Sequence, residues 1–146
     1  MSFQTELNNV LLNFQIKSVD LIKSSVQSPK SPISETQVFS FNVSLEQKVD
    51  SNNKCLIVVT HVEVSTVEDM DYKLASCSVA CLYSIANYLD IVKVSDNNVS
   101  INESSLVILN SIALSTTRGV LSQLFRGTNL QHAVLPVIDP KAFRRS

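Results

Sequence analysis

Glycine is nearly missing from this chain of 146 residues: only Gly119 and Gly127 are present. Isolated glycines cannot build a glycine-rich phosphate loop. Tryptophan is absent, and the three cysteines, Cys55, Cys77 and Cys81, include no CxxC pair. They fill at most one intramolecular disulfide, which fits reduced cytoplasmic thiols better than a secreted framework. Charge is scarce, at 17% of residues, against about 25% in an ordinary soluble domain. The net charge of −1 and an isoelectric point near 6.1 exclude a strongly basic nucleic-acid footprint averaged over the chain. No run reaches the ~18 apolar residues of a membrane span. The first twelve residues have neither a basic n-region nor a long apolar run, so no signal peptide is expected.

What is abundant is apolar surface. Hydrophobic residues make up 45% and mean hydropathy is +0.16. That exceeds what a lone soluble domain needs, so apolar area is either shared with partner subunits or left exposed for binding. Disorder is disfavoured, and the length suits one domain.

Residues 1–13 read as a lead-in, with Leu7, Val10, Leu11 and Leu12 weakly amphipathic; a single domain follows over 14–146. Phe14 to Val26 reads as a strand with a phase slip. Phe14 and Ile16 share one parity, Val19 and Leu21 the other, and a bulge near Ser18 accounts for the change. Residues 27–36, with two prolines and several serines, are a loop. Residues 38–46 alternate: Phe39, Phe41, Val43 and Leu45 on one face, Ser40, Asn42, Ser44 and Glu46 on the other. After a turn at 50–54, residues 55–67 put Leu56, Val58, Val62 and Val64 on one face and Cys55, Ile57, Val59 and His61 on the other. After a second turn, residues 72–85 form a strand apolar or small on both faces. Strands joined by short turns predict an antiparallel meander. Residues 86–98 are a connector. A long helix then begins at a cap, with Ser100 and Glu103 spaced as a capping box and Asn102 an equally good N-cap. It runs to about Arg126, with Gly127 as its C′ residue. Its first half is apolar nearly all round, which calls for burial on more than one side. A short helix carrying Leu130, Val134 and Leu135, a proline break and a turn ending at Phe143 complete the chain. Four strands followed by two helices give an α+β class.

Chemistry-bearing groups are sparse. Nucleophilic catalysis needs a nucleophile beside an oriented base, but Cys77 and Cys81 share one face of an apolar strand, where thiols are inert. His61 alternates with apolar residues, and His132 has no Cys or second His near it, so no metal-ligand spacing appears. Glu68, Asp69 and Asp71 read as a solvated hairpin tip. Lys141, Arg144 and Arg145 form a basic end that either solubilises the terminus or meets an acidic partner. The Phe39, Phe41, Val43 and Leu45 stripe is either ordinary core or a groove for extended apolar segments of other proteins.

Three stretches resemble the SecB family of export chaperones: FQIKSVDL at 14–21, CLYSI at 81–85, and RGT at 126–128 followed by LPV at 135–137 and Phe143. The ordered set spans residues 14–143. The resemblance implies a four-stranded antiparallel sheet followed by a long and a short helix. It also implies a homotetramer, a dimer of dimers with the long helices between. It implies no catalysis, no cofactor and no metal, but ATP-independent binding of unfolded or precursor polypeptides in apolar grooves, in the cytoplasm and without membrane insertion. By position, Phe39, Phe41, Val43 and Leu74 line the client groove, and Leu130, Val134 and Phe143 form its helical side. Ala75, Cys77 and Val79 match positions that join dimers, and Leu109 and Ile112 on the long helix join that interface. The chain is nearer neutral than the proteobacterial members. The acidic positions that dock the export motor SecA fall here on Lys23 and Gln27, which argues against SecA as a partner.

Four readings follow for test: a general holdase, with protein export as one use; a SecB-like chaperone dedicated to one antitoxin of a toxin–antitoxin system; and, in another class, a small α+β thioesterase-like enzyme. A purely structural oligomer is the fourth.

Overall fold

The computed structural model describes residues 11–143. Strands β1 (Phe14–Val26), β2 (Phe39–Asp50), β3 (Cys55–Thr66) and β4 (Ala75–Ile85) form one antiparallel sheet in the order β1-β4-β3-β2. A helical turn, α1 (Tyr88–Ile91), leads into a hairpin of β5 (Val92–Ser95) and β6 (Asn98–Ile101). The long helix α2 (Glu103–Leu124) follows, and a 3-10 turn, Pro140–Phe143, ends the described chain. The class is α+β: an antiparallel sheet with one long helix on one face.

Directly paired residues share a face. One row across the sheet reads Phe41, Val64, Ala75 and Val26, and a second reads Leu45, Thr60, Val79 and Leu21. This is the face that α2 covers. The opposite row of Ser44, His61, Ser78 and Lys23 faces outward. Strands β2, β3 and β4 are the meander that the short turns predict. Strand β1 crosses to pair with β4 instead of β2. Its link is tied down at the β3–β4 end: Gln27 N–H donates to the Leu74 carbonyl (2.8 Å), and the Tyr72 hydroxyl donates to the Ser28 carbonyl (2.6 Å).

The slip in β1 is real and is doubled. Register shifts fall between Ile16 and Ser18 and again between Leu21 and Lys23. The first puts Val19 and Leu21 on the helix side. The second returns Val26 to that side and keeps Lys23 on the outer face, where its ammonium stays in water. Strand β4 starts at Ala75, not Tyr72, because Tyr72 N–H is taken by the Asp69 carbonyl within the turn (3.3 Å). The connector holds a hairpin that the sequence reading does not show. Asp96 and Asn97 both have positive φ, 46° and 69°, the pair of left-handed residues that a tight two-residue turn needs.

Asn102 is the N-cap of α2. Its Oδ1 accepts from Ser105 N–H at 3.0 Å, while Ser100 sits in β6. The expected last helix is absent. Residues 125–132 are turns, 133–139 lie outside any helix or strand, and only the single 3-10 turn remains. Thr128 diverts the backbone, its hydroxyl donating to the Phe125 carbonyl (2.7 Å) and accepting Leu130 N–H (3.0 Å). Pro136 and Pro140 then block a regular helix. Gly127 takes φ 77° in this turn, three residues beyond the last helical one.

Two apolar clusters lie between sheet and helix. One gathers Leu56, Val58, Cys81, Tyr83, Ile85 and Leu109. There the Tyr83 hydroxyl donates to the Leu109 carbonyl (2.9 Å), and burial pushes the phenol pKa far up. The other gathers Val62, Val64, Leu74, Leu121, Phe125, Leu130 and Leu135. Leu7 and Val10 of the lead-in, and Arg144 and Arg145 of the basic end, lie outside the described residues.

Candidate functional site

Helix α2 covers the middle strands and leaves an apolar margin on each side. On the β1 margin, Ile16, Val19, Leu21 and Val26 are 41–45% exposed. On the β2 margin, Phe39, Phe41 and Val43 are half-buried and pack against the second cluster, together with Ile33, Tyr72, Leu124 and Ile138. The result is an apolar trough between β2, β3 and the end of α2, in which Ala133, Leu135 and Ile138 also pack.

Of the residues expected at a client groove, Phe39, Phe41 and Val43 come together in this trough. Leu74 and Leu130 join them but are buried, so they shape the floor and do not meet solvent. Val134 is 58% exposed and points away from the cluster. Ala133 and Leu135 pack against the cluster in its place, because the segment is not a helix. The Phe143 side chain lies outside the described residues. Ala133 and Leu135 were not singled out for the groove. Their signal was the two-residue spacing just before Pro136, which disfavours helix in the preceding residue.

The expected interface residues lie mostly in the chain's own core. Ala75, Cys77, Val79 and Leu109 are 0–2% exposed within the single chain. They face α2 or, for Leu109, the sheet, so their side chains already fill the chain's own core. Only Ile112 is partly open. The outward stripe of α2 carries Val107, Ile108, Ser111, Ser115 and Gly119 instead, with Ile108 46% exposed. The outer parity of β4 is Ser76, Ser78, Ala80 and Leu82, all partly open except the buried Ser78.

The outer sheet face holds a polar cluster. His61 Nδ1 lies 2.7 Å from Ser78 Oγ, and its Nε2 lies 3.2 Å from Glu46 Oε1. The hydrogen bond from His61, then the nearby Lys48 charge, holds the Glu46 carboxyl below its ordinary range. Asn42 donates to Glu63 at 3.2 Å beside a shallow depression that Lys23 also lines. Hydroxyl, imidazole and carboxylate in sequence resemble a nucleophile, base and orienting group. Yet Ser78 is buried, and β4 is paired on both sides. Its backbone N–H groups are committed to the ladder, so no donor pair faces a developing oxyanion. The thiols of Cys77 and Cys81 are pushed up by burial, which leaves them unreactive. Among the described residues, no three His, Cys, Asp or Glu side chains gather to hold a metal ion. No helix among them is long and apolar enough to cross a membrane.

No family model matches the chain, and no curated protein matches it. Among solved structures, the chain is similar to the SecB-like chaperone Rv1957 of Mycobacterium tuberculosis, solved in complex with a ChAD peptide from the HigA1 antitoxin Rv1956. The TM-score is 0.58 at 10% identity, covering 86% of this chain and 89% of that one. The likeness is one of fold.

Proposed function

We propose that this protein is an ATP-independent holdase that binds non-native polypeptide in the trough beside β2. The observation that carries the reading is the half-buried row of Phe39, Phe41 and Val43 beside the middle strands that α2 covers. Unfolded chains expose extended apolar segments and folded ones do not. Covering the remaining half of three such side chains is worth about 1 kcal/mol each. That is weak for one segment, so useful affinity comes from several troughs on one assembly acting together. The outward stripe of α2, with Ile108 exposed, supports self-association into the dimer of dimers that the family resemblance implies. Three free thiols, with Cys77 and Cys81 buried, suit the reducing cytoplasm.

A second reading is a chaperone dedicated to one antitoxin. It is favoured by the fold likeness to a SecB-like chaperone solved with an antitoxin peptide. A panel of unfolded clients separates the two, since a dedicated chaperone retains its own partner only. The trough itself is tested by Phe41→Ser with Val43→Ser in the full chain. Reduced, carboxymethylated lactalbumin, followed by fluorescence anisotropy, is expected to bind at least about tenfold more weakly, with far-UV circular dichroism unchanged. Unaltered affinity in the folded variant overturns the trough assignment.

A further inference from the structure

We propose that the segment Ala133–Asp139 is a built-in occupant of the trough, latched by Arg118, and that clients are extended aliphatic segments that displace it. The inference rests on the holdase reading and names the client chemistry for that site. Residues 133–139 belong to no helix or strand. Their burial alternates at the start, with Ala133 at 3%, Val134 at 58% and Leu135 at 2%. That is the period of an extended chain laid on a surface. Leu135 and Ala133 enter the cluster against which Phe39, Phe41 and Val43 pack. The segment therefore sits where a client side chain would go.

What holds it there is exchangeable. Among the described residues, no backbone N–H from Val134 to Ile138 donates to another backbone group. Local hydrogen bonds hold its two ends, Ala133 N–H donating to the Leu130 carbonyl (2.8 Å) and Ala142 N–H to the Asp139 carbonyl (3.0 Å), and the grip from α2 on its middle is Arg118, whose Nε donates to the Leu135 carbonyl (2.8 Å) and whose Nη2 donates to the Pro136 carbonyl (3.0 Å). Among the described residues no carboxylate pairs with Arg118. Two main-chain carbonyls are present in any polypeptide, so the grip reads no sequence. The side chains that the trough accepts do the selecting. The chain's own AVLPVI shows the type: small or branched aliphatic residues two apart, uncharged, with proline tolerated because no ladder N–H is required there. An equilibrium between seated and displaced segment lowers apparent client affinity by the fraction of open trough.

The test uses the full chain and two probes, carboxymethylated lactalbumin and a fluorescein-labelled peptide with the sequence of residues 133–139. Arg118→Gln is expected to bind lactalbumin on the order of tenfold more tightly than the natural chain, because a larger fraction of its troughs is open. Leu135→Ser, which unseats the segment from its apolar end, should do the same. Arg118→Lys, which keeps a donor, should fall between. The labelled peptide should bind Arg118→Gln and be displaced by lactalbumin, and it should compete with lactalbumin on the natural chain at higher concentration. The competition needs no variant to fold. If the natural chain and both loosened variants bind lactalbumin equally and the peptide does not compete, the occupant is overturned while the holdase stands. If none of them binds lactalbumin, the holdase reading falls and the occupant with it. A merely structural role for Arg118 predicts weaker client binding in step with lost stability, the opposite sign.

Discussion

Thr60 lies at the middle of β3, on the face under α2, paired in register with Leu45 and Val79. It is 0% exposed, and its Oγ1 has no hydrogen-bond partner. Thr60→Val keeps the branched shape and replaces the hydroxyl by a methyl. A buried hydroxyl without a partner costs about 1–3 kcal/mol in protein mutational data. Some of that is offset, because the larger methyl must be accommodated among close-packed neighbours. The net expectation is a gain of about 1–2 kcal/mol. For a domain of this length about 3 °C accompanies each kcal/mol, so the melting temperature should rise by about 3–6 °C. Urea unfolding followed by circular dichroism checks it, with an unchanged m-value required for a change in stability alone. Thr117→Val is the control. Thr117 is equally buried, but its hydroxyl donates to the Ala113 carbonyl at 2.7 Å, so the same change there should gain nothing. A Thr60→Val chain no more stable than the natural one refutes the reasoning, because the hydroxyl would then be satisfied in solution.

Other consequences are open to measurement. Gly119 is exposed in mid-helix, and an added Cβ meets nothing within 4 Å. Gly119→Ala should therefore stabilise the isolated chain by about 1 kcal/mol, yet weaken association, read by sedimentation, where a partner helix is seated there. Asn102→Ala removes the cap on Ser105 N–H and should cost about 1 kcal/mol in urea unfolding. A thiol-reactive dye should label Cys55 rapidly in the native chain, and Cys77 and Cys81 only after denaturation, since both are buried with pKa values raised by desolvation. Glu46 and Asp50 titrate below their ordinary 4.5 and 3.8, through hydrogen bonds from His61 and Asn53 respectively. Depressed carboxylates release protons on folding, so their contribution is present above the ordinary values and is lost as pH falls through the lowered ones. The urea midpoint should drop over that acid range, and less steeply in Glu46→Gln.

Much of the sheet is readable from local pattern. The Phe39 to Leu45 alternation, the first bulge in β1 and the Asn102 cap rest on side-chain period and cap chemistry, both local. The features that were not readable depend on distant partners. The second bulge, at Ile22, is set by which face of β4 takes Lys23, and β1 pairs with β4 through register that neither strand shows alone. Ala75, Cys77 and Val79 look available to a partner because β4 is small or apolar on both faces. Only the placement of α2 decides which face is core. The trough was half legible. Phe39, Phe41 and Val43 stand out as a stripe, whereas Leu135 was read as part of a helix that Thr128 and two prolines prevent.

The central claim is that apolar margins beside α2 hold non-native chains. Light scattering on a sizing column tests it most directly, with the protein run alone, with carboxymethylated lactalbumin, and with folded lactalbumin. The account predicts a mass near that of four subunits alone, a heavier complex with the unfolded client, and no complex with the folded one. A mass unchanged by either client contradicts it.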